Sequence, residues 1–554
     1  MMKRLLSLLL ALSMLFALAA CGNGTEDPGK QNPDDSQNGA PTEGGGTAAE
    51  PADNVVRYGR DMASMGNLNT LLSTYNQIFE ASDCVFDQLL RKNPFTLETE
   101  PVLLTDFPEI SEDGTLFTFE LKQGVKFHDG TELTSKDVQY TFSRFFDPDS
   151  GNLNGYMANM IKGADEMLNS EPNGKIDTLE SFTVIDDYHF TIELAYGYTA
   201  FVPVLAVAPL NIVPMDACEA AGDRWGIDVL IGTGPFKMES FNPNNELVLV
   251  RNEEYHGNVP KLAGVEIINM DPNTALIEWE AGTIDVCAVG TDLVDGYLDN
   301  PEYTDNVQFV EYVGIHALNF NHSMKPFDDQ RVRLAVGLAT DTQSLCDGYF
   351  QGHIRPAKSF IPAGIPGYDD SLPALEYNPE RSKELLAEAG YPDGITFTTT
   401  VTEGSSFEKI YQVLQEQYKK VNITMEIEKV DSAGWFDKRS TGHVQFFMNN
   451  WYADFIDPDN FLYGLYHSSV SEFFSNGWVD PEWDAKLDAG RLIADPAEKQ
   501  KYYAELEYWL TREKVAEWPL YSPAGYYLIS DRVHDVFCKR DNLMSFSEGY
   551  IVEE

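Results

Sequence analysis

An α/β fold is what this sequence predicts. Segments whose apolar residues alternate with period two stand between segments whose apolar residues recur at helical spacing, and cap residues mark the switches. The 554-residue chain is 43% hydrophobic and 12% aromatic, ample for real cores in three or so domains of about 150 residues each. It carries no internal repeat of the kind that builds a solenoid.

In chain order, Lys3 and Arg4 precede an apolar run over residues 5–20 that closes in Leu18-Ala19-Ala20-Cys21. Basic start, short apolar middle and small residues at the cut are the layout of a secretory signal, and the run is shorter than the roughly 20 residues a bilayer-spanning helix needs. A cysteine at the cut resembles the bacterial lipoprotein signal. That resemblance implies removal of residues 1–20 and lipidation of Cys21, with a palmitate-type chain. The body is then anchored by lipid to the cell membrane, facing the extracellular or periplasmic side. An ordinary secretory signal with an incidental cysteine is the alternative. Residues 21–54 are polar, contain Gly44-Gly45-Gly46 and lack any aromatic residue, so they predict a disordered linker that gives the body reach.

Residues 116–121 alternate as a strand and run into turn chemistry at Gly124 and Asp129-Gly130. Thr134 with Asp137 three positions on predicts a helix N-terminus, continued by Val138, Tyr140, Thr141, Phe142 and Phe145. A strand pair is expected over 182–194 around Asp186-Asp187, and another strand over 246–250. Residues 379–389 read as a helix with Pro near its start and Gly390 after its end. An amphipathic helix over 407–420 and an alternating strand over 423–430 follow.

The formal net charge is −49, from 39 Lys and Arg against 88 Asp and Glu. Nucleic acid binding needs basic stripes, so it is excluded as a function. The plainest reason for the charge is solubility outside the cell, with attraction of cationic ligands as the second. Beyond Cys21 the cysteines are Cys84, Cys218, Cys287, Cys346 and Cys538, with no CxxC spacing; a disulfide scaffold and a structural zinc site are not expected, although one or two bridges stay open. The nine histidines form no HExxH, and neither a nucleophile elbow nor a phosphate loop is present. No catalytic residue, metal ligand or cofactor is therefore assigned.

Several segments share one family's order of motifs. FTFELKQGVKFHDGTELTSKDVQYTF spans 117–142, GTGPFK 232–237, RNEEYHG 251–257, FDDQRVR 327–333, YNPERSKELLAEAGY 377–391 and WYADFIDPDNF 451–461. Together they resemble the family 5 extracellular solute-binding proteins, receptors of ABC importers for oligopeptides, dipeptides, nickel and some sugars, over essentially the whole chain after the linker. The resemblance implies a periplasmic-binding-protein-like α/β architecture. Lobe I takes 55–98, 223–318 and 525–554, an inserted subdomain takes 99–222, and lobe II takes 319–524, with two crossing strands as hinge. Most motif residues have structural readings. Gly124, Gly130, Gly232 and Gly234 are expected in turns. His128 is expected as a hydrogen-bonded structural histidine, and Arg331 and Arg333 in ion pairs.

In peptide receptors of this family the aspartate of a Trp-x-x-Asp motif pairs with the ligand's α-ammonium. Trp451 and Asp454 stand at that spacing here, so the resemblance assigns Asp454 that role; a turn or helix cap ahead of Asp457-Pro458 is the other reading. By the same resemblance Asn449, Asn450 and Tyr452 lie on one strand that lines the cleft, and Thr74, Tyr75 and Asn76 near another. Trp435 is either a pocket wall or core packing. No Arg or Lys immediately precedes Trp451, where some relatives place a cation for the ligand's acidic end, so the handling of that end stays open.

The function expected is that of an extracytoplasmic, non-enzymatic lipoprotein that binds peptides by hinge closure and hands them to the transmembrane subunits of an ABC importer. It is expected to be a monomer. A receptor for oligosaccharide or metal chelate, a lipid-anchored hydrolase and a sensory lipoprotein are the alternatives.

Overall fold

A computed structural model describes residues 53–62 and 65–552; the signal, Cys21 and nearly all of the linker lie outside the described residues. Three sheets organise the body. The first has seven strands in the order Val307–Glu311, Ala524–Ile529, Val286–Val289, Val55–Arg60, Gly264–Asn269, Glu246–Arg251 and Phe236–Asn242. The second has six, in the order Arg355–Pro356, Glu517–Ser522, Gly314–Phe320, Phe446–Tyr452, Ile395–Thr402 and Ile423–Val430. The third is antiparallel: Glu109–Ile110, Leu116–Glu120, His189–Glu193 and Phe182–Val184.

Burial follows the text that encodes each strand. Leu116–Glu120 alternates, with Phe117 and Phe119 buried and its flanks open, the pattern of a sheet with one wet face. Gly314–Phe320 is buried at every position, as befits the strand between Glu517–Ser522 and Phe446–Tyr452. The helix Ser135–Phe146 starts at a capping box in which Thr134 N–H donates to Asp137 Oδ2 at 2.9 Å.

The chain passes between the first two sheets twice, after Glu311 and after Ser522, and the two passages are bonded side by side: Tyr312 N–H donates to Pro523 O at 3.0 Å. The expected boundary at 318 falls inside Gly314–Phe320, which belongs wholly to the second sheet, so the first passage lies at 312–313. The third sheet has its own core, which runs from Leu71 to Ile212 and takes in one distant residue, Phe455. Behind Phe455 the contact continues in buried polar form. Tyr198 donates to Asp459 Oδ2 at 2.7 Å, Arg491 binds the same carboxylate through Nε and Nη2, and Lys499 pairs with Asp457.

Two expectations need correction. Gly232 and Gly234 do not have the positive φ of Gly124 (+77°) and Gly130 (+89°). A Cβ on either would lie 2.2 Å or 2.5 Å from the Val85 backbone, so close approach, not turn conformation, requires glycine there. Among the described residues Arg333 makes no ion pair; it is buried and donates to the carbonyls of Phe327, Lys514 and Val515, while Arg331 pairs with Asp329. His128 bonds the backbone on both ring nitrogens, to Gly234 O at 3.0 Å and from Gly232 N–H at 3.3 Å.

Candidate ligand cavity

Between the sheets lies a cavity of about 1530 Å³, larger than the roughly 300–1,000 Å³ of most small-molecule sites. One wall is the strand Phe446–Tyr452. Successive strand residues face opposite ways, and Met448, Asn450 and Tyr452 line the cavity accordingly. Asn449 does not line it. Its side chain points to the opposite face and donates to Glu517 Oε1 at 3.3 Å, a fully buried carboxyl that burial pushes up to about 8. The expectation that Asn449 lines the cleft is not met, because its amide is spent on Glu517. Thr74, Tyr75 and Asn76 line the facing wall at the start of the helix Asn76–Val85.

Trp451 and Asp454 line the cavity as a unit built around Asn460. The Asn460 Oδ1 accepts from Trp451 Nε1 at 3.0 Å and from Asp454 N–H at 3.1 Å; its Nδ2 donates to Asp454 Oδ2 at 3.0 Å. The local cap belongs to Asp457, whose carboxylate receives Asp459 N–H at the start of Pro458–Asn460. Asp454 is thus free of that duty. It has no ion-pair partner among the described residues, and burial raises it to about 6 against the opposing Asn460 bond and the more distant Lys92 charge. Several other lining charges are matched at close range: Arg60 with Glu80 at 2.6 Å, Lys92 with Asp541 at 3.0 Å, and Lys539 with Asp83 at 2.8 Å; Glu548 also lines the cavity but is exposed to solvent.

Sequence reasoning missed the cation. Arg439 ends the helix Ser432–Ser440 and lines the cavity. Its guanidinium carbon stands 5.1 Å from the Trp435 ring centre, 5.9 Å from Phe436, and 5.2 Å from both Phe473 and Phe474. Rings hold a cation by their faces. Its Nε is buried without a hydrogen-bond partner, no carboxylate pairs with it among the described residues, and desolvation pulls it down to about 10. Trp435 is consequently both: it lines the cavity and packs edge-on against Phe447 at 5.9 Å. From the third-sheet body comes Tyr156. Desolvation in the cleft, then the Asp454 carboxylate, push its phenol well above its ordinary value, and Arg439 opposes them. One phenol therefore stands within electrostatic reach of both Asp454 and Arg439. A cavity with a carboxylate and a guanidinium left open, between walls of strand and helix-start backbone, suits a zwitterion with polar main chain.

The family description "bacterial extracellular solute-binding proteins, family 5" matches residues 98–473. Heme-binding protein A of Haemophilus influenzae is 26% identical over 506 residues, which cover 88% of this chain and 90% of the relative. Dipeptide-binding protein DppE of Bacillus subtilis is 23% identical over 511 residues, 89% of each chain. Among solved structures, the periplasmic binding protein DppA from Helicobacter pylori, in complex with a peptide STSA, superimposes with a TM-score of 0.75 at 22% identity, covering 90% of this chain and 98% of that one.

Proposed function

Since the chain belongs to the bacterial extracellular solute-binding proteins of family 5, we infer that it binds peptides outside the cytoplasm and delivers them to the permease of an ABC importer. The observation that carries this reading is the Asp454 carboxylate, fixed by Asn460, facing the cavity and without an ion-pair partner among the described residues. A half-buried, desolvated carboxylate is stabilised by a cation, and the α-ammonium of a peptide supplies one. Arg439 takes the ligand's carboxylate in the same way. Asn450, Tyr452, Thr74, Tyr75 and Asn76 contact the ligand's main chain, Trp435 forms a side-chain wall, and Trp451 positions Asp454 through Asn460.

The two bodies close about the paired passages at Tyr312 and Pro523, and the ligand shifts that equilibrium by its preference for the closed form. The protein does no chemistry on its ligand, and lipid on Cys21 holds it at the membrane. Calorimetry with matched free-amine and N-acetylated peptides makes the test. Free-amine peptides bind and acetylated ones lose at least about tenfold, or 1.4 kcal/mol. Equal affinity of the two sets removes Asp454 from this role. Tight binding of a sugar or metal chelate with no binding of peptides overturns the peptide reading.

A further inference from the structure

The cage around Arg439 is open on one side. Phe436 and Phe473 are 52% and 42% exposed, although both sit in the cavity wall, with ring centres 6.1 Å apart and nearly perpendicular. Across from them Tyr156 is 46% exposed. Three large rings from two separate bodies thus present bare apolar surface within one cavity, while Phe474 beneath them is buried. Exposed rings of this kind on the way to a desolvated cation are not explained by packing of the protein itself. Their other faces meet the guanidinium, so a ligand group that reaches Arg439 must pass along their edges.

We propose that the rings of Phe436, Phe473 and Tyr156 form a side-chain subsite that selects peptides whose carboxylate-bearing residue is aromatic. The inference rests on the peptide reading above and adds the ligand's class. An α-carboxylate and its own side chain hang from a single carbon. With the carboxylate on Arg439, that side chain lies against the rings that surround the guanidinium. A flat ring meets Phe436 and Phe473 edge to face, the geometry aromatic pairs favour. Tyr156 covers it from the opposite wall. A methyl group in the same place leaves all three rings wet.

The experiment is calorimetry on the full-length protein with Ala-Ala-Phe, Ala-Ala-Ala and Phe-Ala-Ala, each with a free C-terminus and as the C-terminal amide, together with the corresponding dipeptides. Burial of one aromatic side chain predicts that Ala-Ala-Phe binds about 10–100-fold tighter than Ala-Ala-Ala. Phe-Ala-Ala should fall close to Ala-Ala-Ala, and amidation should abolish the gain. Phe436→Ala and Phe473→Ala should each narrow the ratio of Ala-Ala-Phe to Ala-Ala-Ala affinity several-fold, whatever either does to the carboxylate site that both peptides share. Equal binding of Ala-Ala-Phe and Ala-Ala-Ala, a gain that follows Phe-Ala-Ala instead, or a gain that survives amidation overturns this inference and leaves the peptide reading standing. Failure of every peptide overturns both.

Discussion

Asn460 grips Asp454 at both ends: its amide nitrogen donates to the carboxylate at 3.0 Å and its amide oxygen receives the Asp454 N–H at 3.1 Å. The same oxygen also takes Trp451 Nε1. A single side chain thus sets the aim of the one cavity carboxylate assigned to a ligand cation. Asn460→Ala should lower affinity for free-amine peptides by about tenfold or more, since one fixed hydrogen bond to a charged group contributes about 1.5–3 kcal/mol. Calorimetry on the variant, with a thermal melt to establish folding, checks it.

Asp454 stands at about 6 because burial disfavours its charge. Its folded value lies above the unfolded one, near 3.9, so the folded state binds more protons between them and stability of the ligand-free protein falls as pH rises through that window. Asp454→Asn should therefore stabilise the ligand-free protein at pH 7, on the order of 1–3 kcal/mol, and change little at pH 4. Denaturant titrations at the two pH values measure this. The same substitution should cost two to three orders of magnitude in peptide affinity, because a buried charge loses its partner at about 3–5 kcal/mol. In the unaltered protein, peptide binding should weaken as pH drops from 7 to 5.

The Asp459 carboxylate joins Tyr198 to Arg491 with all three groups buried. Asp459→Asn leaves the Arg491 charge without its partner and should destabilise the fold by about 3–5 kcal/mol. Tyr198→Phe removes one hydrogen bond and should cost about 1–3 kcal/mol, the range for a bond to a charged group with its acceptor left behind. Chemical denaturation of both variants tests the order.

Closure should make the molecule more compact and more stable. Saturation at a hundredfold excess over the dissociation constant adds about 2.7 kcal/mol. Small-angle scattering and thermal melts with a bound peptide follow both effects; a radius that does not shrink counts against hinge closure.

The anchor is tested in cells. Cys21→Ser should release the mature protein from membranes into the soluble fraction with its melt unchanged. Retention on membranes counts against lipidation.

Local text carried much of the fold. The alternation in Leu116–Glu120 and the Thr134–Asp137 cap depend on residues within one turn or one strand, so they were readable. The helix Phe407–Lys419 and the strand Ile423–Val430 fall within a residue of expectation for the same reason. Asp454 was reachable only through the resemblance of Trp451-to-Asp454 to the family's Trp-x-x-Asp motif. Arg439 was not, because what makes it distinctive is the company of Phe473 and Phe474, some thirty positions away, and of Tyr156 from another body. Asn460 hid inside a turn motif whose proline and aspartates drew the eye. Gly232 and Gly234 were legible as glycines that must be glycine, but the reason, the Val85 backbone against them, exists only in three dimensions.

Ala524–Ile529 lies inside the seven-stranded sheet, hydrogen-bonded to Val286–Val289 on one side and Val307–Glu311 on the other. That strand follows all six of the sheet's other strands in the chain. Until it is in place, Val286–Val289 has an open edge and Val307–Glu311 is cut off from the sheet's other five strands. Domains that fold during synthesis are completed from the N-terminus onward; this one cannot be. The seven-stranded sheet therefore stays open until the whole second sheet, which lies between Glu311 and Ala524 in the chain, has been made.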